Sequence, residues 1–339
     1  MRRRVHLTAV VLALAIVAAA CGGSSSKSTT ASGASSGNAI RLGFSAWPGW
    51  FPWQVAEEKG LFAKHGVNVK LTYFESYTDS LNALASGNLD ANSQTLNDTV
   101  SSVAGGAKET IVLTNDNSTG NDQIIAAPGI NSIADLKGKK VGAEQGTVDH
   151  YLLLLALKKA GLSPDDIQFQ PLETGAAAAA FASGRLDAVG AFAPFTTQAL
   201  ARPGSKALAT SADFPGAIPD HLVVNRDLVT SRPGDIQKLI DTWFDTLSYI
   251  KANPADAMAI MAKKGGVSVS DYQTYDKGTT IFSLDDNRTA FTPGATTKNL
   301  DFEAGEISKF LLGAKLIDKA PDLTGLFEPK FVNAAPATP

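Results

Sequence analysis

One nine-residue segment occurs twice in this chain and constrains its fold more than any other feature. The segment reads ALASGNLDA at 83–91 and AFASGRLDA at 180–188, so only two positions differ over an offset of 97 residues. The small alanines let a helix lie close to a sheet, and the glycine supplies the left-handed conformation just past the helix end. Leucine and alanine then enter a short buried strand. Two such copies predict two similar α/β units and hence two lobes.

Predicted strands alternate with predicted helices around both copies. The strands are expected at 40–45 and 67–73 in the first unit, and at 167–172 and 186–192 in the second. This alternation is typical of parallel sheets covered by helices. The sequence therefore predicts the α/β class, with a largely helical part after residue 225.

The first 39 residues have the composition of an export signal followed by a tether. Three arginines precede an apolar run at 7–20, which is shorter than the ~20 residues that a membrane-spanning helix needs. The run ends in Ala-Ala-Ala before Cys21, which resembles a bacterial lipobox whose cysteine is lipidated. We predict a lipoprotein signal peptide at 1–20 and a Ser-, Gly- and Thr-rich flexible tether at 21–39. An ordinary secretory signal followed by an unmodified cysteine is the alternative.

Composition argues against several classes of protein. The 30 Lys+Arg and 33 Asp+Glu give a net charge of −3, which provides no general attraction to nucleic acid. Cys21 is the only cysteine, so no disulfide within the chain and no thiol nucleophile in the folded part is expected. His65, His150 and His221 lack metal-ligand spacing, and no Gly-x-Ser-x-Gly or Gly-rich phosphate loop occurs in the part expected to fold, from residue 40 onward. We therefore expect no metal, no cofactor and no enzymatic activity.

Three segments carry a resemblance to a known family. They read AEEKGLFAKHGV at 56–67, ASGNLDA at 85–91 and DLKGKKVG at 135–142. Together they resemble the NMT1/THI5-like solute-binding proteins of bacterial ABC importers, a group that includes taurine, aliphatic sulfonate and nitrate binders. The resemblance implies a two-lobed periplasmic-binding-protein-like (type II) fold with two crossover hinges, a ligand in the cleft, and ABC permease subunits as partners.

The resemblance also suggests where the lobes divide. The crossovers are expected at 116–122 and 213–221, which gives one lobe at 40–117 and 221–333 and the other at 118–220. Many relatives carry Trp, an acid and Pro where this chain has Phe192, Ala193 and Pro194. Because that difference removes an acid and an indole from the expected cleft, no relative's ligand can be transferred to this chain directly.

Ligands of open α/β sheets bind at the carboxyl ends of the strands, and this rule selects the candidate site. The eight loops that it selects contain ten acids and no lysine or arginine. A ligand that is zwitterionic, cationic or neutral is therefore expected, and a taurine-like solute is one candidate. The candidate ligand-binding residues are Ser45, Trp47, Trp50, Tyr77, Thr95, Asn97, Asp122, Glu144, Thr147 and His150.

Different roles are expected within this set. Helix starts near Tyr77, Asn97 and Thr147 could hold a sulfonate, while Asp122, Asp116 or Glu144 could hold an amine. The tryptophans of the loop at 47–53 either form a wall of the cleft or pack beneath the loop. His150 is either a donor to the ligand or a surface residue.

These features predict an extracytoplasmic solute-binding protein, anchored to the outer face of the cell membrane by its N-terminal lipid. Two alternatives remain open on the sequence. One is a protein of the same fold that binds or converts a pyrimidine precursor. The other is a lipoprotein that signals the presence of a ligand to a membrane kinase.

Overall fold

The computed structural model of the chain describes residues 38–336. The predicted signal peptide, Cys21 and the tether up to residue 37 lie outside the described residues. None of the described helices is both long enough and apolar enough to cross a bilayer.

Eleven strands form two sheets within residues 38–336. The strands are β1 Ile40–Ser45, β2 Val69–Phe74, β3 Ala91–Thr95, β4 Glu109–Ser118, β5 Asp122–Ala126, β6 Lys140–Ala143, β7 Gln168–Pro171, β8 Ala188–Phe192, β9 Lys206–Thr210, β10 Pro219–Asn225 and β11 Thr279–Ile281.

Helices cover both sheets and form most of the part of the chain after β10. They are α1 Pro52–Glu58, α2 Leu61–Lys64, α3 Tyr77–Ala85, α4 Leu96–Ala104, α5 Val148–Lys159, α6 Thr174–Ala182, α7 Phe195–Leu200, α8 Leu228–Ser231, α9 Pro233–Ala252, α10 Pro254–Lys264, α11 Val269–Tyr275, α12 Leu284–Ala290, α13 Leu300–Gly313 and α14 Lys330–Ala334. Three short 3-10 helices lie at Ile133–Leu136, Pro164–Asp166 and Ser211–Asp213.

The two sheets define two lobes. The first lobe carries the six-stranded sheet, ordered β11-β4-β10-β3-β1-β2, and the second carries the five-stranded sheet, ordered β7-β6-β8-β5-β9. The chain passes from the first sheet to the second between β4 and β5, and returns between β9 and β10. This arrangement confirms the predicted two-lobed α/β fold with two crossovers. The predicted residue boundaries of the lobes stay a prediction, and they fall inside β4 and β10.

The sheets are mixed, whereas the sequence pattern predicted parallel sheets. β1 runs parallel to β2 and β3, and β6 runs parallel to β7 and β8. The strands at the crossovers are antiparallel to their neighbours: β10 to β3 and β4, and β5 to β8 and β9. The reason is that the chain enters β5 and β10 from the other sheet, so neither strand follows the strand–helix–strand connection within one sheet that makes neighbours parallel.

Both copies of the repeated segment join a helix to a strand, as predicted. Gly87 and Gly184 have φ values of +76° and +81° just past the ends of α3 and α6. The aspartates of the two copies also have the same role. Asp90 accepts a hydrogen bond from the backbone N–H of Arg41 at 2.8 Å, and Asp187 accepts one from that of Lys140 at 2.8 Å. In each lobe the repeat thus ties its own strand to the adjacent parallel strand.

A buried tryptophan pair anchors the loop that leads from β1 to the cleft. Trp53 in α1 and Trp243 in α9 are fully buried, with ring centroids 4.7 Å apart. Trp53 also donates from Nε1 to Oγ of Ser93 in β3 at 3.0 Å. Because both ends of this loop are fixed in the core, the residues between them are held at the ends of the strands.

Candidate functional site

A small buried cavity lies between the lobes and is lined by residues of both. It offers about 10 Å³ to the centre of a water molecule, which is room for about one water. The lining residues are Ala46, Trp47, Trp50, Tyr77, Thr95, Asp122, Val148, Phe192, Ile218 and Asp220.

A second cavity of about 190 Å³ adjoins the first and shares three of its wall residues, Ala46, Tyr77 and Phe192. Its other lining residues include Ser45, Glu75, Glu144, Glu173 and Thr174. Across residues 38–336, no lysine or arginine lines either cavity. Together the two cavities form an interlobe cleft with acidic and aromatic walls.

Four aromatic rings form a closed circuit around the small cavity. Trp50 lies 6.5 Å from Trp47 and 5.4 Å from Tyr77, and Phe192 lies 6.3 Å from Trp47 and 6.2 Å from Tyr77, measured between ring centroids. All four side chains are buried. Phe192 belongs to the second lobe and the other three rings to the first. The rings therefore bring the lobes together as well as lining the cavity.

Three polar side chains lie beside one another on adjacent strands at the edge of the cleft. Thr95 of β3 is opposite Asp220 of β10, which is opposite Asp116 of β4. Thr95 donates from Oγ1 to Oδ1 of Asp220 at 2.7 Å, and Trp47 donates from Nε1 to Oδ1 of Asp116 at 2.9 Å. The Oδ2 atom of Asp116 finds no hydrogen-bond partner among residues 38–336.

The Asp116–Asp220 pair holds a proton more firmly than an ordinary carboxyl group does. Burial raises the pKa of Asp116 to about 7, and burial together with the charge of Asp116 raises the pKa of Asp220 well above its usual value. Two buried carboxylates in contact cannot both ionise at low cost, so they share a proton until a positive charge replaces it.

Asp122 is the third buried acid of the cleft, and it lies at the start of β5 in the second lobe. It is 2% exposed and lines the small cavity, and burial raises its pKa to about 7. Its Oδ2 atom finds no hydrogen-bond partner among residues 38–336. Because an unpaired buried carboxylate oxygen is costly, this atom marks a place where a donor is missing.

The second lobe also places a carboxylate at a helix start of the first lobe. Glu144, which follows β6, accepts hydrogen bonds from Oγ1 and the backbone N–H of Thr78 at 2.5 and 3.3 Å, in the first turn of α3. It also accepts from Oγ1 and N–H of Thr174 at 2.8 and 3.2 Å, at the start of α6. These contacts place negative charge at the positive ends of helix dipoles.

Asp98 and Asp149 extend the set of buried acids behind the cleft. Asp98 accepts from the hydroxyl of Tyr77 at 2.8 Å and from Nδ2 of Asn97 at 2.9 Å. The Oδ2 atom of Asp149 lies 2.6 Å from Oγ1 of Thr174, which donates its one proton to either Asp149 or Glu144. Burial raises the pKa of both carboxyl groups well above the usual value.

The structure brings seven of the ten predicted site residues to the cleft. Trp47, Trp50, Tyr77, Thr95 and Asp122 line the small cavity, and Ser45, Tyr77 and Glu144 line the larger one. Trp47 and Trp50 are buried and line the small cavity, whereas Trp53 lines neither cavity, and a contact between these rings and a ligand stays a prediction.

Asn97, Thr147 and His150 line neither cavity. Thr147 donates from Oγ1 to the carbonyl of Glu144 at 3.0 Å. The ring of His150 stacks on Phe169 with centroids 4.4 Å apart, and burial lowers its pKa to about 4. His150 is thus buried and neutral at pH 7, rather than the surface residue of the alternative interpretation.

Sequence reasoning left Asp220 and Phe192 out of the site. Asp220 was visible as an acid of the second crossover, but its place beside Asp116 depends on the insertion of β10 between β3 and β4. Within residues 38–336, no group of three or more His, Cys, Asp or Glu side chains is arranged to hold a metal ion.

Comparisons with known proteins agree with this architecture. The family model described as the NMT1-like family matches residues 33–264. The chain is 32% identical over 227 residues to a Brucella abortus (strain 2308) protein named as a candidate binding protein, covering 66% of this chain and 70% of that one. It is 27% identical over 244 residues to the taurine-binding periplasmic protein of Escherichia coli (strain K12), covering 68% and 75%.

A solved structure shares the fold over most of its length. The periplasmic aliphatic sulphonate binding protein of Escherichia coli superposes with a TM-score of 0.72 at 23% identity, covering 87% of this chain and 93% of that one.

Proposed function

This chain belongs to the NMT1-like family, and we propose that it is the extracytoplasmic solute-binding protein of an ABC importer. The observation that carries the proposal is the buried interlobe cleft, because residues of both lobes line it at the ends of their strands. Clefts at this position in open α/β sheets are where small ligands bind. Relatives that are named as binding proteins rather than enzymes support the same role.

We propose that the ligand contacts the side chains that line the cleft. These are Ser45, Trp47, Trp50, Tyr77, Thr95, Asp122 and Glu144, together with Phe192 and Asp220. Asn97 and Thr147 hold neighbouring groups in position, through Asp98 and Glu144 respectively. The solute is small and zwitterionic, cationic or neutral, because the lining supplies carboxylates and no fixed positive charge.

The location and the partners form the second part of the proposal. Lipidation of Cys21 anchors the protein to the outer face of the cell membrane, and the tether lets the lobes reach a permease. The lobes divide at 117/118 and 220/221. Closure of the lobes over the solute distinguishes the loaded receptor from the empty one, and the permease then recognises the loaded form.

Binding of a solute in the cleft is the testable core of this function. Full-length protein in mild detergent is screened by thermal shift against sulfonates, amines and pyrimidines, because a ligand that binds only the folded state raises the melting temperature. Isothermal titration then measures the affinity of each hit.

Two variants, each with one alanine replaced by leucine, test whether the solute binds in the cleft. Ala46 lines both cavities, whereas Ala207 lies exposed on β9. Ala46→Leu fills the cleft and is expected to abolish binding, while Ala207→Leu is expected to leave it unchanged. Absence of any shift with folded wild-type protein, or equal binding by both variants, would count against a receptor that uses this cleft.

A further inference from the structure

We propose that the cleft takes a small organic cation with an ammonium group and no anionic group. Asp122, the Asp116–Asp220 pair and the four aromatic rings hold the ammonium group in the small cavity, and the organic part occupies the adjoining larger cavity. This inference rests on the proposed function and narrows its ligand class.

The charges of the cleft favour a cation over a zwitterion or an anion. Two acidic side chains, Asp122 and Asp220, line the small cavity, and Asp116 is opposite Asp220 on the adjacent strand. Among the described residues, no lysine or arginine lines the cleft to balance them. Buried carboxylates without a positive partner are costly, and an ammonium group would remove that cost by pairing with them.

The unpartnered Oδ2 atom of Asp122 gives this charge a specific position. It belongs to a side chain that is 2% exposed and lines the cavity. An N–H of an ammonium group would supply the missing donor and form a charge-assisted hydrogen bond. This argument does not depend on how many acids line the cleft. It concerns one oxygen atom, which has no hydrogen-bond partner among residues 38–336.

The four aromatic rings add a second favourable interaction with a cation, besides the acids. Trp47, Trp50, Tyr77 and Phe192 surround the same cavity, with neighbouring centroids 5.4–6.5 Å apart. A cation near the faces of aromatic rings gains electrostatic attraction, most strongly with tryptophan and when water is excluded. Apolar walls alone would suit a neutral solute, but the same walls with carboxylates favour a positive one.

The helix starts in the cleft, where an anionic group would be expected to bind, already hold the protein's own acids. Glu144 accepts from the backbone N–H groups of Thr78 at the start of α3 and Thr174 at the start of α6. A sulfonate at these helix starts would have to displace a carboxylate and would be repelled by the others. The adjoining cavity of about 190 Å³ limits the cation to a small one.

A series of compounds that differ only in charge tests the inference. The probes share a three-carbon chain: propylamine and 1,3-diaminopropane carry only positive charge, 3-aminopropane-1-sulfonate carries both charges, and propane-1-sulfonate carries only a negative one. Titration at pH 8 into full-length protein is expected to give the tightest binding with the two amines. The zwitterion is expected to bind roughly ten- to hundredfold more weakly than propylamine, and the sulfonate not at all.

A matched pair of variants assigns the charge to Asp122. Asp122→Asn is expected to weaken amine binding roughly ten- to hundredfold, whereas Asp165→Asn, on an exposed turn of the same lobe, is expected to leave it unchanged. Circular dichroism confirms that both variants fold.

The outcomes separate this inference from the proposed function. Tighter binding of the zwitterion or the sulfonate than of the amines overturns the cation inference but supports a solute receptor. The same holds if only a neutral compound binds. If no compound from this series or from the wider screen binds the folded protein, both proposals fail.

Discussion

The Nε1 atom of Trp47 lies 2.9 Å from Oδ1 of Asp116, so an indole of the cleft wall donates to a buried acid that is opposite Asp220 on the adjacent strand. The aromatic lining of the cleft is therefore hydrogen-bonded to its buried acids. A ligand that packs against the aromatic rings is expected to change the protonation of these acids. The pH dependence of ligand affinity therefore tests the site.

Amine binding is expected to strengthen as the pH rises from 6 to 8. Burial raises the pKa of Asp116 and of Asp122 to about 7, and a cation binds their ionised forms. Each carboxyl group that must lose a proton weakens binding by about tenfold per pH unit below its pKa. Alkylamines stay protonated over this range, so the ligand itself does not titrate.

Isothermal titration of propylamine at half-unit pH steps measures this profile. His150 and His221 do not contribute, because burial lowers their pKa to about 4 and about 3. The raised pKa of Asp98 and Asp149, which lie behind the cleft, would add to the slope in the same direction. A flat profile would contradict the assignment of the charge to these acids.

Replacing Trp47 is expected to move the midpoint of that pH profile upward. Trp47→Phe removes the donor that stabilises the ionised form of Asp116, so the pKa of Asp116 rises further. Trp50 is the matched control, because its Nε1 finds no partner among residues 38–336. Trp50→Phe is expected to weaken binding without moving the midpoint. A shift of equal size in both variants would show that the indole donor is not the cause.

The ligand-free protein is expected to lose stability as the pH rises from about 5 to 8. A carboxyl group whose pKa is raised in the folded state stabilises the fold below its unfolded pKa, and that contribution is lost as the pH passes the folded pKa of about 7. Asp122→Asn removes this penalty, so it is expected to raise the melting temperature at pH 8 by about 2–4 °C for each kcal/mol gained. At pH 4, close to the unfolded pKa of about 3.9, most of the gain is expected to vanish.

Glu109 is the control that separates stability from binding. It is buried at the start of β4, and burial raises its pKa to about 7 as well, but it lines neither cavity. Glu109→Gln is expected to raise the melting temperature at pH 8 while leaving amine affinity unchanged. Thermal unfolding and isothermal titration of the two variants measure the two effects. If Asp122→Asn lowers the melting temperature at pH 8, ionised Asp122 does not destabilise the fold.

Much of the architecture could be predicted from the sequence because it depends on local pattern. The repeated segment predicts two helix-to-strand turns, and Gly87 and Gly184 form them with positive φ. The tryptophan loop at the end of β1 was placed at the cleft because strand ends are where ligands bind. These inferences need only the neighbours of each residue along the chain.

The electrostatic structure of the cleft could not be predicted in the same way. Asp220 reaches Thr95 across 125 positions of sequence, and Glu144 reaches Thr78 across 66. Both pairs depend on how the strands are ordered and how the lobes meet, which no local pattern records. For the same reason, local pattern could not show that the helix start near Tyr77, proposed for a sulfonate, already binds the carboxylate of Glu144.

Lipidation at Cys21 is expected to determine where the protein is found in the cell. Cys21→Ser removes the only thiol, so the diacyl anchor cannot form and the protein is expected in the soluble extracytoplasmic fraction. Ser24→Ala, three residues further along the tether, is the control and is expected to stay with the membrane. Fractionation followed by immunoblotting measures the distribution. If the Cys21→Ser protein stays with the membrane, the lipobox interpretation is wrong.

The contact between Glu144 and Thr78 is expected to hold the lobes closed. Thr78→Val removes the 2.5 Å hydroxyl donor of the first lobe, while the weaker backbone N–H contact at 3.3 Å remains. Loss of one hydrogen bond to a charged acceptor corresponds to about a tenfold shift toward the open form. Dissociation of the ligand is therefore expected to be about tenfold faster, and small-angle scattering of the loaded protein should show a larger radius of gyration.

Thr174→Val tests whether this effect comes from closure or from the position of Glu144 alone. Thr174 donates to Glu144 at 2.8 Å, but both residues belong to the second lobe. Its loss disturbs the carboxylate without removing a bond between the lobes, so the radius of gyration of the loaded protein is expected to stay unchanged. If both variants open the protein equally, Glu144 contributes to the folding of its own lobe, and closure depends on the aromatic contacts of Phe192 with Trp47 and Tyr77.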